Sequence, residues 1–241
     1  MNINNKVAVI TGASAGIGAA IARTLSEAGV KLVLCARPQD ADDLAAVQQQ
    51  LNTESIAVNV DLADQESGQT ILEAGLKAFG QLDFLINNAG LMANGPIEYV
   101  DLQAMDAMIT INFSAVVRMS YTFLRHFKAQ NSGAIVNITS LGARLTSPMM
   151  GVYCASKAAV EVFSTSLRRE LAGTAIKVGY VAPGSTQTAM YDGLKAQAGD
   201  DSLDIEVLKP SDIADAVLHM LSQPASVNLA SMSVYPVTEA F

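Results

Sequence analysis

Short apolar runs alternate with helix-length segments along this chain, and that order restricts the fold more than any other feature. Seven runs have the length and β-rich composition of strands: Lys6 to Ile10, Lys31 to Ala36, Ser55 to Val60, Leu82 to Asn87, Ala134 to Thr139, Ile176 to Ala182 and Ser231 to Tyr235. The segments between them carry apolar residues at helical spacing: Gly18 to Ala28, Asp42 to Leu51, Gln65 to Phe79, Asn112 to Ala129, Val152 to Ala172 and Ser211 to Leu221. Strict alternation predicts an α/β fold, a doubly wound seven-stranded parallel sheet with helices on both faces.

The length of 241 residues suits one open α/β sheet with one large core. Because no Pro/Ser-rich stretch, repeat or block of like charge marks a boundary, we predict a single domain over residues 1–241. The apolar runs stay well below the roughly 20 residues that span a bilayer, and the amino terminus shows no targeting pattern. We therefore expect a soluble, cytoplasmic protein without a membrane partner.

Composition argues against two other classes of partner. A formal net charge of −8 disfavours nucleic acid, whose binding needs clustered Lys and Arg. Cys35 and Cys154 form no CxxC pair, and His126 and His219 are far apart in the chain. The prediction is two reduced thiols and no metal site.

A glycine-rich turn follows the first predicted strand. In a doubly wound sheet, ligands bind beyond the carboxyl ends of the strands. Glycines there let the backbone approach a pyrophosphate, which the free N–H groups at the start of the next helix attract. The turn predicts a Rossmann-like dinucleotide site, although a tight turn without a ligand would use the same residues. The residues of this turn predicted to contact the cofactor are Gly12, Ser14, Ala15, Gly16, Ile17 and Gly18.

Arg37 stands directly after the second predicted strand. An NAD site usually has an acidic residue in this region to hold the ribose hydroxyls, and Ala36 has no side-chain acceptor. A guanidinium can instead clamp a 2′-phosphate. The sequence therefore favours NADP(H) over NAD(H); the alternative is a solvated Arg37 with Asp40 serving the ribose.

Tyr153 and Lys157 lie four residues apart on the helix predicted over Val152 to Ala172. Positions i and i+4 share a helix face, so the phenol and the ammonium project into the same space. A cation there favours the phenolate and would lower the pKa of a phenol from its usual value of about 10. The pair predicts a general acid/base, whereas in isolation it would equally suit a surface pair on a helix.

Six motifs stand in order along the chain: Thr11-Gly12-x-x-x-Gly16-Ile17-Gly18, Asn87-Asn88-Ala89-Gly90, Asn112, Ser140, Tyr153-x-x-x-Lys157 and Pro183-Gly184-x-x-x-Thr188. With them the sequence resembles the short-chain dehydrogenase/reductase family over nearly its whole length. The segment from Leu208 to Phe241 looks like that of NADP-dependent members near clavaldehyde (clavulanic acid) reductases and YdfG-type hydroxy-acid dehydrogenases. The resemblance implies an NADP(H)-dependent alcohol dehydrogenase or carbonyl reductase.

The resemblance also implies four catalytic residues. Tyr153 would donate a proton to the substrate carbonyl oxygen as hydride arrives, and would act as base in reverse. Ser140 would bind the same oxygen, and Lys157 would lower the phenol pKa and contact the nicotinamide ribose. Asn112 would hold a water that links Lys157 to solvent. A strand-end hydroxyl and a helix cap are the other readings of Ser140 and Asn112.

Further cofactor contacts follow from the same resemblance. They are Asp61 and Leu62 at the adenine, Asn88, Ala89 and Gly90 along the cofactor wall, and Pro183, Gly184 and Thr188 at the nicotinamide carboxamide. A helix-capping Asp61 and an ordinary turn after the fourth strand are the alternatives. Since Ala15 stands where many NADP-dependent relatives carry a basic residue, Arg37 must carry most of the phosphate recognition.

The substrate pocket is expected to be apolar, with a lid at about 185–208 whose polar part, Lys195 to Asp204, moves. The residues predicted to contact substrate are Ser140, Tyr153, Leu91, Met92, Arg144 and Met190. Arg144 is the nearby cation that would meet a substrate carboxylate, unless it is a solvated loop residue, and core packing explains each Met equally well.

The resemblance also bears on how copies of this chain assemble. The predicted helices Asn112 to Ala129 and Val152 to Ala172 resemble those through which family members form homodimers and homotetramers. Two other functions stay open: an NAD(P)-binding regulatory module on the same fold, and an epimerase or dehydratase that uses bound cofactor without net turnover.

Overall fold

A parallel seven-stranded sheet lies at the centre of the computed structural model, which describes residues 2–198 and 206–238. The strands are β1 (Val7–Thr11), β2 (Lys31–Ala36), β3 (Ser55–Asn59), β4 (Phe84–Asn87), β5 (Gly133–Ile138), β6 (Ile176–Pro183) and β7 (Ser231–Val234). Their spatial order is β3-β2-β1-β4-β5-β6-β7, with every adjacent pair parallel. The predicted doubly wound α/β fold is therefore confirmed.

Helices cover both faces of this sheet. They are α1 (Gly16–Glu27), α2 (Ala41–Gln48), α3 (Ser67–Phe79), α4 (Leu102–Ile109), α5 (Val116–Gln130), α6 (Gly151–Glu170), α7 (Ala189–Ala198) and α8 (Pro210–Leu221). β1 is buried along its whole length: Ala8 and Ile10 join the core under α1 and α8, whereas Val7 and Val9 join the core under α3, α5 and α6. Burial on both faces is why this strand reads as a continuous apolar run.

The chain reverses its winding direction between β1 and β4. β2 and β3 lie on one side of β1, and β4 to β7 lie on the other. The connections after β1 and β4 therefore diverge and leave a crevice beyond the carboxyl ends of these two strands. This crevice holds the candidate site.

The helix predicted over Asn112 to Ala129 starts ten residues earlier than expected, at Leu102. Asp101 caps α4 by accepting a hydrogen bond from the Gln103 backbone N–H at 2.9 Å. A π-helical turn, Thr110–Ala115, joins α4 to α5. The whole stretch Leu102–Gln130 is long and apolar enough to cross a membrane by length and composition, but a core helix meets the same criteria. Its inner face packs against the sheet through residues such as Phe123, which accounts for its hydropathy.

The predicted lid segment contains regular structure that the sequence analysis did not anticipate. Residues 189–198 form α7. Thr186 pairs with Leu208 in a short parallel bridge, so the two ends of the segment are joined by backbone hydrogen bonds. The remainder of the polar part, residues 199–204, lies outside the described residues.

Candidate active site

The glycine-rich turn fits tightly against the end of β4. Gly12 and Gly16 adopt positive φ values of 64° and 54°, which favour glycine. A Cβ on Gly12 would lie 2.9 Å from the Ala89 Cα, and one on Gly18 would run into the Gly12 carbonyl oxygen. The three glycines are therefore required by backbone geometry, and a side chain at Gly18 would collide with the turn itself.

Asn88 holds this turn in place. Its side-chain amide donates to the carbonyl oxygens of Thr11 and Gly12, at 2.9 and 3.0 Å. In return, the Thr11 hydroxyl accepts hydrogen bonds from the backbone N–H groups of Asn88 and Ala89, at 3.0 and 3.1 Å. Four hydrogen bonds, each between a side chain and the backbone, thus join the carboxyl ends of β1 and β4.

The amino end of α1 has the chemistry of a pyrophosphate site. Its N-cap residue, Ala15, makes no side-chain capping hydrogen bond, so the first-turn N–H groups have no side-chain acceptor from the cap. Ser14, Gly16 and Ile17, which lie at this end of the helix, line a large cavity. Unsatisfied donors and a positive helix dipole favour an anion here, so the chain fits the phosphates of a dinucleotide.

A cavity of about 560 Å³ runs from this turn to the catalytic helix α6. The predicted cofactor and substrate residues that line it are Gly12, Ser14, Ala15, Gly16, Ile17, Arg37, Asp61, Leu62, Asn88, Ala89, Gly90, Leu91, Tyr153, Lys157, Thr188 and Met190. The predicted residues outside this lining are Gly18, Met92, Asn112, Ser140, Arg144, Pro183 and Gly184. Most of the predicted cofactor residues are therefore brought together around one space.

Arg37 forms a two-point ion pair in the part of the cavity that follows β2. Its Nε and Nη2 donate to the two carboxylate oxygens of Asp40, at 2.8 and 3.2 Å. The hydrogen bond with Asp40 is the main cause that raises the pKa of Arg37, with a smaller contribution from the charge of Asp61. The sequence left open whether Arg37 binds a 2′-phosphate or Asp40 binds the ribose. Both residues line the cavity, and they are paired with each other.

Tyr153 and Lys157 are both buried, on the side of α6 that faces the cavity. The Lys157 Nζ lies 5.9 Å from the centroid of the Tyr153 ring and donates to the Ile138 carbonyl oxygen at 3.1 Å. Ser140 caps a short 3₁₀ turn, Leu141–Ala143, by accepting from the Gly142 N–H at 3.1 Å. A hydrogen bond between Ser140 and the phenol brings the third predicted catalytic residue to the same point.

The phenol pKa moves in a direction opposite to the sequence-based expectation. Burial raises the pKa of Tyr153 above its ordinary value, and the hydrogen bond with Ser140 acts in the lowering direction without reversing it. Burial also lowers the pKa of Lys157 to about 8. Both effects have one cause, since low-dielectric surroundings disfavour the charged form of either group.

Asn112 lies in the π-helical turn, and its side chain makes two hydrogen bonds with the backbone of Leu91. Its side-chain oxygen accepts from the Leu91 N–H at 2.7 Å, and its Nδ2 donates to the Leu91 carbonyl oxygen at 2.8 Å. The same Nδ2 lies 3.1 Å from the Ser156 Oγ, and that hydroxyl donates to the Tyr153 carbonyl oxygen at 2.7 Å. Asn112 thereby connects the loop after β4 to the helical turn that carries the phenol.

Two parts of the site were not predicted from the sequence. Ser156 is one; its place between Tyr153 and Lys157 was the available signal. The other is the cavity wall formed by Ala107, Thr110 and Ile111, which belongs to α4 and the π-helical turn. It was missed because that part of the helix was not predicted.

Arg144 is held away from the cavity. Its Nε donates to Glu161 at 3.0 Å, its Nη1 to the Ser233 hydroxyl at 2.8 Å and its Nη2 to the Tyr180 hydroxyl at 3.1 Å. These bonds direct the guanidinium toward β6 and β7.

Comparison with known proteins identifies the family. A family model described as short chain dehydrogenase matches residues 6–199. The chain belongs to the short-chain dehydrogenase family. Members of this oxidoreductase family bind nicotinamide cofactors, which agrees with the phosphate-binding turn and the buried Tyr153 and Lys157.

Curated relatives of this short-chain dehydrogenase match it over almost its full length. An uncharacterised oxidoreductase of Staphylococcus saprophyticus is 37% identical over 242 residues, covering 98% of this chain and 100% of the relative. One of Staphylococcus epidermidis strain ATCC 35984 is 34% identical over 235 residues, covering 98% and 99%.

Solved structures resemble it closely as well. The closed form of a serine dehydrogenase complexed with NADP+ has a TM-score of 0.89 at 28% identity and covers 98% of this chain and 96% of that one. A variant actinorhodin polyketide ketoreductase with NADPH has a TM-score of 0.85 at 26% identity and covers 96% of each chain.

Proposed function

We propose that this protein is an NADP(H)-dependent carbonyl reductase and alcohol dehydrogenase in which Tyr153 is the general acid/base. The observation that carries the proposal is the buried pair Tyr153 and Lys157, with Ser140 beside the phenol, in the lining of a cavity that also includes the glycine-rich turn. A bound nicotinamide cofactor supplies or accepts the hydride in this chemistry. The chain itself supplies the proton, the orientation of the carbonyl and the exclusion of water.

The protonation states of the site suit carbonyl reduction. Because burial raises the pKa of Tyr153, the phenol holds its proton near neutral pH and can donate it to a carbonyl oxygen that gains negative charge. Ser140 is close enough to share that oxygen and fix its position. As pH rises through the phenol pKa the proton donor is lost, so the reductive rate is expected to fall.

Lys157 is the group best placed to replace the donated proton. With a pKa of about 8 its amine is largely protonated near neutral pH and can still release a proton without a large cost. We place its proton route toward Gly90 and Asn112, since a Cβ on Gly90 would lie 3.3 Å from both the Lys157 Nζ and the Asn112 Oδ1. A water held near Asn112, as the resemblance implies, would complete this route.

NADP(H) is the proposed cofactor because of Arg37. Asp40 contacts the Nε side of the guanidinium and leaves Nη1 available for a 2′-phosphate. The two structural neighbours that contain NADP+ and NADPH support the same choice. The absence of a basic side chain at Ala15 makes Arg37 the main determinant.

The remaining features are proposed by family analogy. Apolar side chains stay exposed on α5 and α6, including Tyr121 and Val162, which supports a homodimer or homotetramer formed through these helices. We also propose one cytoplasmic domain over residues 1–241, with α7 as part of a lid. A closer relation to clavaldehyde reductases and YdfG-type hydroxy-acid dehydrogenases stays a prediction.

The test is an NADPH-consumption screen over aldehydes, ketones and keto acids, with Tyr153→Phe as the matched variant. We expect the variant to bind NADPH normally by fluorescence titration and to lose about 10²- to 10⁴-fold in kcat, since it lacks the transferable proton. Unchanged turnover in the variant would remove the proton-transfer role. Conversion of a substrate without net NADPH consumption would reveal an epimerase or dehydratase, and NADPH binding without any conversion would indicate a regulatory module.

A further inference from the structure

The surroundings of the Tyr153 ring are rich in thioethers. The ring packs in a cluster that we call the thioether wall: Leu91, Met92, Ala93, Val100, Met105, Met108, Met150, Val152 and Cys154. Met108 is fully buried, and Met105 is 8% exposed. Of this wall, Leu91 is the member that lines the cavity, and Met190, at the start of α7, is the thioether in the lining itself. Methionine side chains are flexible and polarisable, so such a surface accommodates apolar groups of varied shape.

Three of the four charged residues in the described cavity lining lie far from Tyr153. Among the described residues that line the cavity, the charged ones are Arg37, Asp40, Asp61 and Lys157. Arg37 and Asp40 follow β2, which is separated from β5 by β1 and β4. Three strand spacings correspond to about 14 Å, and Asp61, after β3, lies one spacing further away. None of these three charges reaches a substrate held beside Tyr153.

Lys157 is the charged lining residue near the phenol, but under the proposed function its ammonium faces the nicotinamide ribose. It is 5% exposed and its ammonium already donates to the Ile138 carbonyl oxygen. Two hydroxyls of the lining are also engaged: Thr139 bonds to Glu161 and to the Val181 carbonyl oxygen, and Thr188 bonds to the Thr186 carbonyl oxygen.

Arg144, the cation predicted to meet a substrate carboxylate, is engaged outside the cavity. Each of its three nitrogens has a hydrogen-bond acceptor, and its charge is paired with Glu161, whose side chain is 12% exposed. Its guanidinium also stacks over the Tyr180 ring at 5.7 Å. Recruiting it for a substrate would break all of these contacts.

We infer that the substrate is an uncharged carbonyl compound with apolar substituents, or the corresponding alcohol, and that keto acids and hydroxy acids are poor substrates. This inference rests on the proposed reductase function. A carboxylate beside the apolar part of the lining, which includes Leu91, Ile111 and Met190, would lose its hydration without gaining a cation of its own. An apolar substituent gains by the same transfer.

The experiment compares levulinate with its methyl ester as substrates for NADPH oxidation. Both carry the same ketone, two methylenes away from the carboxyl group, so the difference in kcat/KM reports the charge. We expect the ester to be favoured by at least about 100-fold, which corresponds to about 2.7 kcal/mol. In a series of straight-chain aldehydes, kcat/KM is expected to rise with chain length.

A pair of variants tests the electrostatic reason. Met190 lines the cavity and is 37% exposed, so substitution there is compatible with folding. Met190→Lys is expected to raise kcat/KM for levulinate by about 10-fold relative to Met190→Gln, which adds polarity without charge. Equal behaviour of the two variants would overturn the electrostatic explanation.

The outcomes separate the inference from the function on which it rests. Levulinate turnover within about threefold of the ester overturns the substrate class and leaves the reductase function intact. Failure of the whole carbonyl panel, with NADPH still bound, overturns the reductase function and with it the inference.

Discussion

Replacing Lys157 with methionine is expected to stabilise the fold near neutral pH while abolishing catalysis. The Lys157 side chain is buried, and burial lowers its pKa from 10.5 to about 8. At about 1.4 kcal/mol per pH unit, the gap between these values corresponds to about 3 kcal/mol of folding free energy. Methionine has a similar length and no charge, so it avoids this cost.

The sign of the effect follows from proton binding in the two states. Below about pH 8 the amine is charged in both the folded and the unfolded chain, and the burial cost is fully present. As pH rises from about 8 toward 10.5, the folded chain releases the proton first, so the cost is progressively relieved and stability rises. Methionine also loses the hydrogen bond to the Ile138 carbonyl oxygen, which offsets about 1 kcal/mol.

The net expectation is a variant about 2 kcal/mol more stable than wild type near pH 7, with the difference falling close to zero by about pH 9.5. Urea unfolding at the two pH values measures it. Far-UV circular dichroism is the suitable probe because the chain contains no Trp. Lys128→Met, at an exposed position on α5, is the matched control and should change neither the stability nor its pH dependence appreciably.

Two results would refute this reasoning. One is a Lys157→Met protein that is less stable than wild type near pH 7. The other is a difference between the two proteins that stays constant with pH, because a buried ammonium must produce a pH-dependent one.

Three further substitutions test other parts of the site. Gly18→Ala places a methyl group against the Gly12 carbonyl oxygen, so it should lower the free energy of unfolding by about 1–3 kcal/mol and weaken NADPH binding. Gly193→Ala, at an exposed position in α7, is the control and should raise the free energy of unfolding by up to about 1 kcal/mol. Equal melting temperatures of the two variants would contradict the steric argument. Arg37→Ala should lower kcat/KM for NADPH by about 10- to 100-fold and leave that for NADH unchanged, and an equal loss with both cofactors would remove its role in phosphate recognition. Ser156→Ala breaks the connection between the π-helical turn and the catalytic turn of α6, so kcat should fall by about 10-fold with little change in KM, while Ser156→Thr retains the hydroxyl and should restore the rate.

Local sequence patterns were sufficient for much of the fold. The strands β1, β2 and β5 were predicted within one residue at each end, since apolar runs between turn residues are signals within a few positions. α4 was missed although Asp101 caps it, because its outward-facing Leu102 and Ile109 blur the helical periodicity. The joining π-helical turn has no sequence signal of its own, and it is the packing against α6 that places it.

The candidate site divides in the same way. The glycine turn and the spacing of Tyr153 and Lys157 are local features, and the sequence alone located both. Arg144 was predicted to face a substrate because the sequence shows only its distance from Tyr153; its partner Ser233 is 89 positions away and is brought near by the pairing of β6 with β7. The direction of the Tyr153 pKa shift was likewise decided by how deeply the completed fold buries the phenol. The sequence by itself thus determined which chemical groups are present and which share a helix face, whereas only the tertiary structure decided their partners and dielectric surroundings, because these depend on contacts between elements distant in the chain.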